Sequence, residues 1–192
     1  MIIKFIFLIL FSFTFQQPQY HHFPYELSLK CYCQDYINQI TSDGNEIISE
    51  RGIFFNKVTL TTEVQENDLV NIVISRRRRP PDENQDAKIG CICSGIIKTQ
   101  KGTEREIYSN NNWVCNNIQA IELDDNSEEL FSTREMWNEY GISQNAKFVV
   151  ADSQAIHDEY ELNKDNKEKY NQFFNFDTVI CSFNIPFGIE EF

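Results

Sequence analysis

Two cysteines separated by a single residue occur twice, in LKCYCQDYI (29–37) and in IGCICSGII (89–97). On a strand, residues i and i+2 project from the same face. Both members of each pair therefore point together, and a bond between them would close a strained ring. Each pair is placed instead to reach two partners on a neighbouring strand or sheet. No other feature constrains the chain as much, because it demands strands that bring distant segments into contact.

The flanking residues agree. CYCQDYINQITSDGNEIIS (31–49) sets beside CICSGIIKTQKGTEREIYS (91–109) as an internal hairpin repeat. Both carry Cys-x-Cys, then Ile37 or Ile97, Gly44 or Gly102, Glu46-Ile47 or Glu106-Ile107, and Ser49 or Ser109. Each reads as strand, glycine-bearing turn, strand, with SDGN (42–45) and QKGT (100–103) at the turns. Further β-branched and aromatic runs lie at 52–64 (Val58, Leu60 and Thr62 on one face), 68–75, 112–123, 146–156 and 176–187. The expectation is a mainly β chain, an antiparallel sandwich or barrel-like sheet of about eight strands. One short helix is predicted over 126–141, with Asn126 as N-cap, Glu129 completing a capping box and Gly141 at the C-cap. Leu130, Thr133, Trp137 and Tyr140 form its apolar stripe. Residues 157–172 are polar all round and fit a solvated helix or a long loop.

The first fifteen residues, MIIKFIFLILFSFTF, place Lys4 before an apolar run broken only by Ser12 and Thr14. This is the pattern of a secretory signal peptide, and the run is shorter than the roughly 20 residues of a membrane span. Residues 1–15 are read as a signal peptide, with a retained anchor as the alternative, and 16–192 as a single secreted β-rich domain. All six cysteines (Cys31, Cys33, Cys91, Cys93, Cys115 and Cys181) fall in that domain. An even number in a secreted chain reads as disulfides. The rival is a four-thiolate zinc or copper(I) site built from the two C-x-C pairs. Zinc ribbons prefer two intervening residues, and an oxidising compartment closes such thiols, so disulfides are expected and no metal or cofactor is. The expected arrangement joins the two C-x-C hairpins once and lets each remaining member reach Cys115 or Cys181.

The formal charge is −12, and removing Lys4 with the signal makes it −13. Such a chain repels phosphates, so nucleic acid is not an expected partner, and a membrane is expected only if the first segment is retained. No N-x-[ST] acceptor for N-linked glycan occurs. The one concentration of positive charge is Arg76, Arg77, Arg78 and Arg79, followed by Pro80-Pro81. A cut after Arg79 would be hindered by the imide nitrogen of Pro80, so this stretch is read as an intact, solvent-facing interaction loop.

DDNSEELFSTRE (124–135) places Asp124, Asn126, Glu128 and Glu135 at calcium-loop positions, but Glu129 stands where the sharp turn needs Gly. An acidic helix start explains the same residues. His157, with Asp158 and Glu159 directly after it, and the His21-His22 pair carry no constellation. No nucleophile elbow, zinc-protease, phosphate-loop or dinucleotide motif is present, so no catalytic residue is assigned. The chain is read as a secreted, non-enzymatic structural or recognition component of an extracellular or cell-surface assembly, with protein partners. The alternatives are a secreted carboxylate-based hydrolase and a small-ligand carrier.

Overall fold

A computed structural model describes residues 24–49, 55–75, 89–127, 130, 132–151 and 178–189. The expected signal peptide, the Arg76–Arg79 loop, both histidine sites and the 157–172 segment lie outside them.

The longest element, β1 (Tyr25–Ser42), has 18 residues and would span roughly 55–60 Å if straight. Its two ends nevertheless meet at one short turn, residues 65–68. At the first end, Tyr25 donates its hydroxyl to Glu66 Oε1 at 2.6 Å. At the other, Ser42 Oγ donates to Asp68 Oδ2 at 3.0 Å, and the Asp43 N–H to the Leu69 carbonyl at 3.0 Å. The strand is therefore strongly bent, and its sequence shows where. Tyr25, Leu27, Leu29, Cys31, Cys33, Asp35 and Ile37 are buried at alternate, inward positions (Tyr32 is buried on the opposite face), after which Ile40 and Ser42 are. The phase changes because Ile37 pairs with Ile74 while Gln39 pairs with Val73, which leaves Asn38 as an extra residue, a β-bulge.

The bend lets one strand serve two halves of a sheet. Through Cys33, β1 lies between β3 (Phe55–Val64) and β5 (Gly90–Lys98). Over 36–42 it lies between β2 (Asn45–Ser49) and β4 (Leu69–Ser75). β6 (Glu104–Tyr108) flanks β5, and β11 (Thr178–Asn184) flanks β4. Beyond β11 come β7 (Val114–Cys115) and β8 (Ile118–Gln119). On the start of β5 sit β10 (Phe148–Val150) and then β9 (Ile121–Leu123). Every pairing is antiparallel, and the sheet is nearly closed into a barrel.

The interior is filled by Leu27, Leu29, Ile40, Ile72, Ile74 and Ile97, all essentially without exposed surface, and is extended by the Trp113–Phe183 stack at 4.5 Å. A second, smaller core lies on the outer face. There Tyr32 and Ile92 pack under Trp137, Phe148 and Val150.

The 112–123 run, expected as one strand, is three. Asn116 (φ 52°) and Asn117 (φ 64°) adopt the left-handed pair that a tight hairpin turn requires, so β7 folds back as β8. The helix is also shorter than expected. It spans α1, Arg134–Tyr140, with Thr133 as N-cap in place of Asn126 and Gly141 as the left-handed C-cap (φ 82°). Upstream, Asp124 accepts from the Asn126 N–H at 2.9 Å, and Asp125 holds Arg134 at 2.7 and 2.8 Å. These bonds hold 124–126 as a turn, so Asn126 does not cap the helix.

Asp68 is the knot of the 65–68 turn. Its carboxylate accepts from Ser42 Oγ and the Gln65 N–H, while its carbonyl accepts from the Ile185 N–H. Replacing Asp68 with Ala should lower unfolding free energy by about 1–2 kcal/mol in urea titration, since two donors lose their acceptor. An unchanged midpoint would show that the closure does not depend on this carboxylate.

Candidate functional site

The inward face of β1 and β5 brings four cysteines together. Register pairs Cys31 with Cys93 and Cys33 with Cys91. Cys31 and Cys93 are disulfide-bonded, with Cα atoms 4.2 Å apart. Cys115 and Cys181, paired in register between β7 and β11, form a second bond with Cα atoms 4.1 Å apart. The single link between the two C-x-C hairpins is thus present, and neither hairpin closes on itself. The expected reach to Cys115 and Cys181 is corrected. Those two bond each other because each strand pair places its own cysteines opposite one another, and β4 stands between β11 and β1.

Cys33 and Cys91 face each other as fully buried thiols. Burial pushes the Cys33 thiol well up, and the adjacent Cys91 and the Asp35 carboxylate add to the effect. Asp35 is itself buried in the same inward phase. A thiol so held stays protonated at neutral pH and is a poor nucleophile, which argues against a catalytic cysteine here.

The outward face of the same strands forms a surface of a different character. Four cross-strand rows run over β3, β1, β5 and β6. The first, Lys57–Tyr32–Ile92, lies at the second core. There the Lys57 ammonium sits 5.1 Å from the Tyr32 ring centre and 5.7 Å from that of Tyr140. Next come Thr59–Lys30–Ser94–Tyr108 and Thr61–Ser28–Ile96–Glu106. The last row, Glu63–Glu26–Lys98–Glu104, is charged throughout.

The helix and β9–β10 cover the first row, and the cover ends above the second. Thr59 Oγ1 shares a hydrogen bond with Tyr140 OH at 2.9 Å, and Ser94 Oγ accepts from the Ser143 N–H at 2.9 Å. Beyond this boundary lies an open groove of about 420 Å³, floored by Ser28, Gly95 and Ile96 and flanked by Thr61, Glu106 and Ser143. Ile96 is 41% exposed in it, on the face opposite its fully buried neighbour Ile97.

The six cysteines singled out in the sequence all lie on strands and are buried. The groove was not singled out. Its signal was present in the polar phase of β1, β3 and β5, where Ser28, Lys30, Thr59, Thr61 and Ser94 alternate with the core residues. Several surface acids have structural partners: Glu66 accepts from Tyr25 and the Gly188 N–H, Glu122 from the Asn111 N–H, and Asp125 from Arg134. No family model matches the chain, and neither does any curated protein or solved structure.

Burial beneath the outer cover raises the Tyr32 hydroxyl above the ordinary tyrosine range. A raised folded-state value means that stability from the neutral hydroxyl is full below the unfolded value of about 10 and is lost as pH rises past it. Ultraviolet titration should show a late-ionising tyrosine that Tyr32→Phe removes. An identical titration curve for the variant would contradict the burial of this hydroxyl.

Proposed function

We propose that the protein is a secreted, non-enzymatic recognition or structural component of an extracellular assembly, which meets a protein partner through the open outer face of β3, β1, β5 and β6. The observation that carries this reading is Ile96, a large apolar side chain exposed at the centre of a four-strand face otherwise made of hydroxyls and charges. An apolar contact ringed by polar groups is the usual anatomy of a protein interface.

Two further features support it. Among the described residues, β6 pairs only with β5, so its outer edge offers main-chain donors and acceptors for strand addition. Glu26 and Glu104 flank Lys98 at the rim and Glu63 lies beyond Glu26, an acidic edge that suits a partner with basic groups. The disulfides accord with an oxidising, extracellular setting. The carrier alternative has little to rest on, because the barrel interior is occupied by side chains.

The test uses protein secreted from its native source. Native elution should place the wild type in an assembly larger than one chain, dispersed more readily at high salt because of the acidic rim. Ile96→Arg should shift it to the monomer volume while thermal unfolding stays within a few degrees, since the side chain is exposed. Wild type eluting as a monomer with nothing bound would overturn the proposal.

A further inference from the structure

We infer that Cys33 and Cys91 close a third disulfide, one rung along the same strand pair from Cys31–Cys93, so that β1 and β5 carry a two-bond ladder. The argument begins with register. In an antiparallel pair, directly opposed residues alternate between a closely spaced, non-hydrogen-bonded class and a wider one. The Cys31–Cys93 separation of 4.2 Å belongs to the closer class. Cys33 and Cys91 are two residues further on along both strands, so they are in the same class and on the same face. They have the opposition that the bonded pair has.

Their surroundings agree. Both side chains are fully buried, and the two thiols are in hydrogen-bonding contact. Whatever oxidant closes Cys31–Cys93 during folding meets the second rung as the same strands pair. That oxidant is a small-molecule or protein disulfide of the oxidising compartment. The Cys33 thiolate attacks one of its sulfurs and displaces the first oxidant thiol. The Cys91 thiolate then attacks the Cys33 sulfur of the mixed disulfide and displaces the second. The chain loses two electrons and two protons, and one oxidant disulfide becomes two thiols.

The step belongs to folding, before burial, because the finished core keeps Cys33 protonated and away from solvent. The second rung also has a different effect from the first. Cys31–Cys93 closes a long loop, separated by 62 residues. The Cys33–Cys91 bond then closes only the small ring between the two rungs, so little unfolded-state entropy remains for it to remove. Its consequence is chemical. Bridged sulfurs cannot attack the adjacent Cys31–Cys93 bond, and the β1–β5 pairing is held against exchange. The ladder lies on the inner face and does not depend on the recognition surface.

The test is a thiol count on the full chain, secreted under oxidising conditions. The protein is denatured without reductant before alkylation, because buried thiols resist reagent in the folded state. The expected result is no alkylated cysteine, with peptide fragmentation joining Cys33 to Cys91. Adducts on Cys33 and Cys91 would overturn the assignment, as would the crossed bonds Cys33–Cys93 and Cys31–Cys91. In the Cys31→Ser/Cys93→Ser variant, the remaining pair should still close and leave no free thiol. Two free thiols in a folded variant would refute independent closure of the rung. If that variant does not fold, the wild-type count and fragment map decide alone.

Discussion

The bend in β1 is the constraint on which the other elements depend. A strand of this length cannot remain straight inside a small domain, and a flat sheet built on it would leave one apolar face in water. The Asn38 bulge solves both problems. It shifts the inward phase from odd to even residues, so that Cys31, Cys33 and Ile37 on one side and Ile40 on the other all face one interior. Asn38 Nδ2 also donates to Ser75 Oγ, which anchors the bulge to β4. Because β1 turns, β3 and β5 can flank its first half while β2 and β4 flank its second. The 65–68 turn then joins β3 to β4 across only four residues.

Pairing this non-local is slow to form and requires the ends of long chain segments to meet. The two disulfides act on that difficulty. Each links register partners more than sixty residues apart, and in the chain-entropy model each removes about 2–4 kcal/mol of unfolded-state freedom. Their positions divide the work. Cys31–Cys93 ties the β1–β5 seam in the middle of the sheet order, and Cys115–Cys181 ties the short β7 to β11 near one end. β7 has only two residues, too few to hold by main-chain bonds alone. Asn116 reinforces it by donating its N–H to the Ile180 carbonyl and accepting from the Ile180 N–H, both at 2.9 Å.

Much of this architecture was legible in the sequence where one residue type carried one physical meaning. The Asp43-Gly44 pair (φ 46° and 79°) marked its hairpin, and Gly141 marked its helix end. The cysteine spacing marked strands whose paired side chains share a face. Legibility failed where the same residues served two rules. Asn116-Asn117 sits within an apolar, strand-like run, and nothing local separates an edge strand from a turn flanked by strands. Asn126 is a good capping residue, but Asp125 is held by Arg134 across the turn, a tertiary contact that local spacing does not predict. Which cysteine meets which depends on the register of β1 with β5 and of β7 with β11, and no local pattern in the sequence fixes either. The groove was hidden for a related reason, since it arises only when the polar phases of four strands are set side by side.

The boundary between covered and open outer face rests on Gly141. As the left-handed cap it ends the seven-residue helix, where any residue with a Cβ would be strained. It also lies directly above Lys30. A Cβ on Gly141 would stand 2.6 Å from the Lys30 ammonium nitrogen, so the ammonium end of Lys30 rests against the bare Cα at the edge of the groove. With Lys30 lying there, the chain after Gly141 turns down so that Ile142 joins the second core and the Ser143 N–H reaches Ser94. The cover then stops one row short of Ile96. The glycine that terminates the helix therefore also sets how much of the β1–β5 surface the protein keeps for its own packing and how much faces outward.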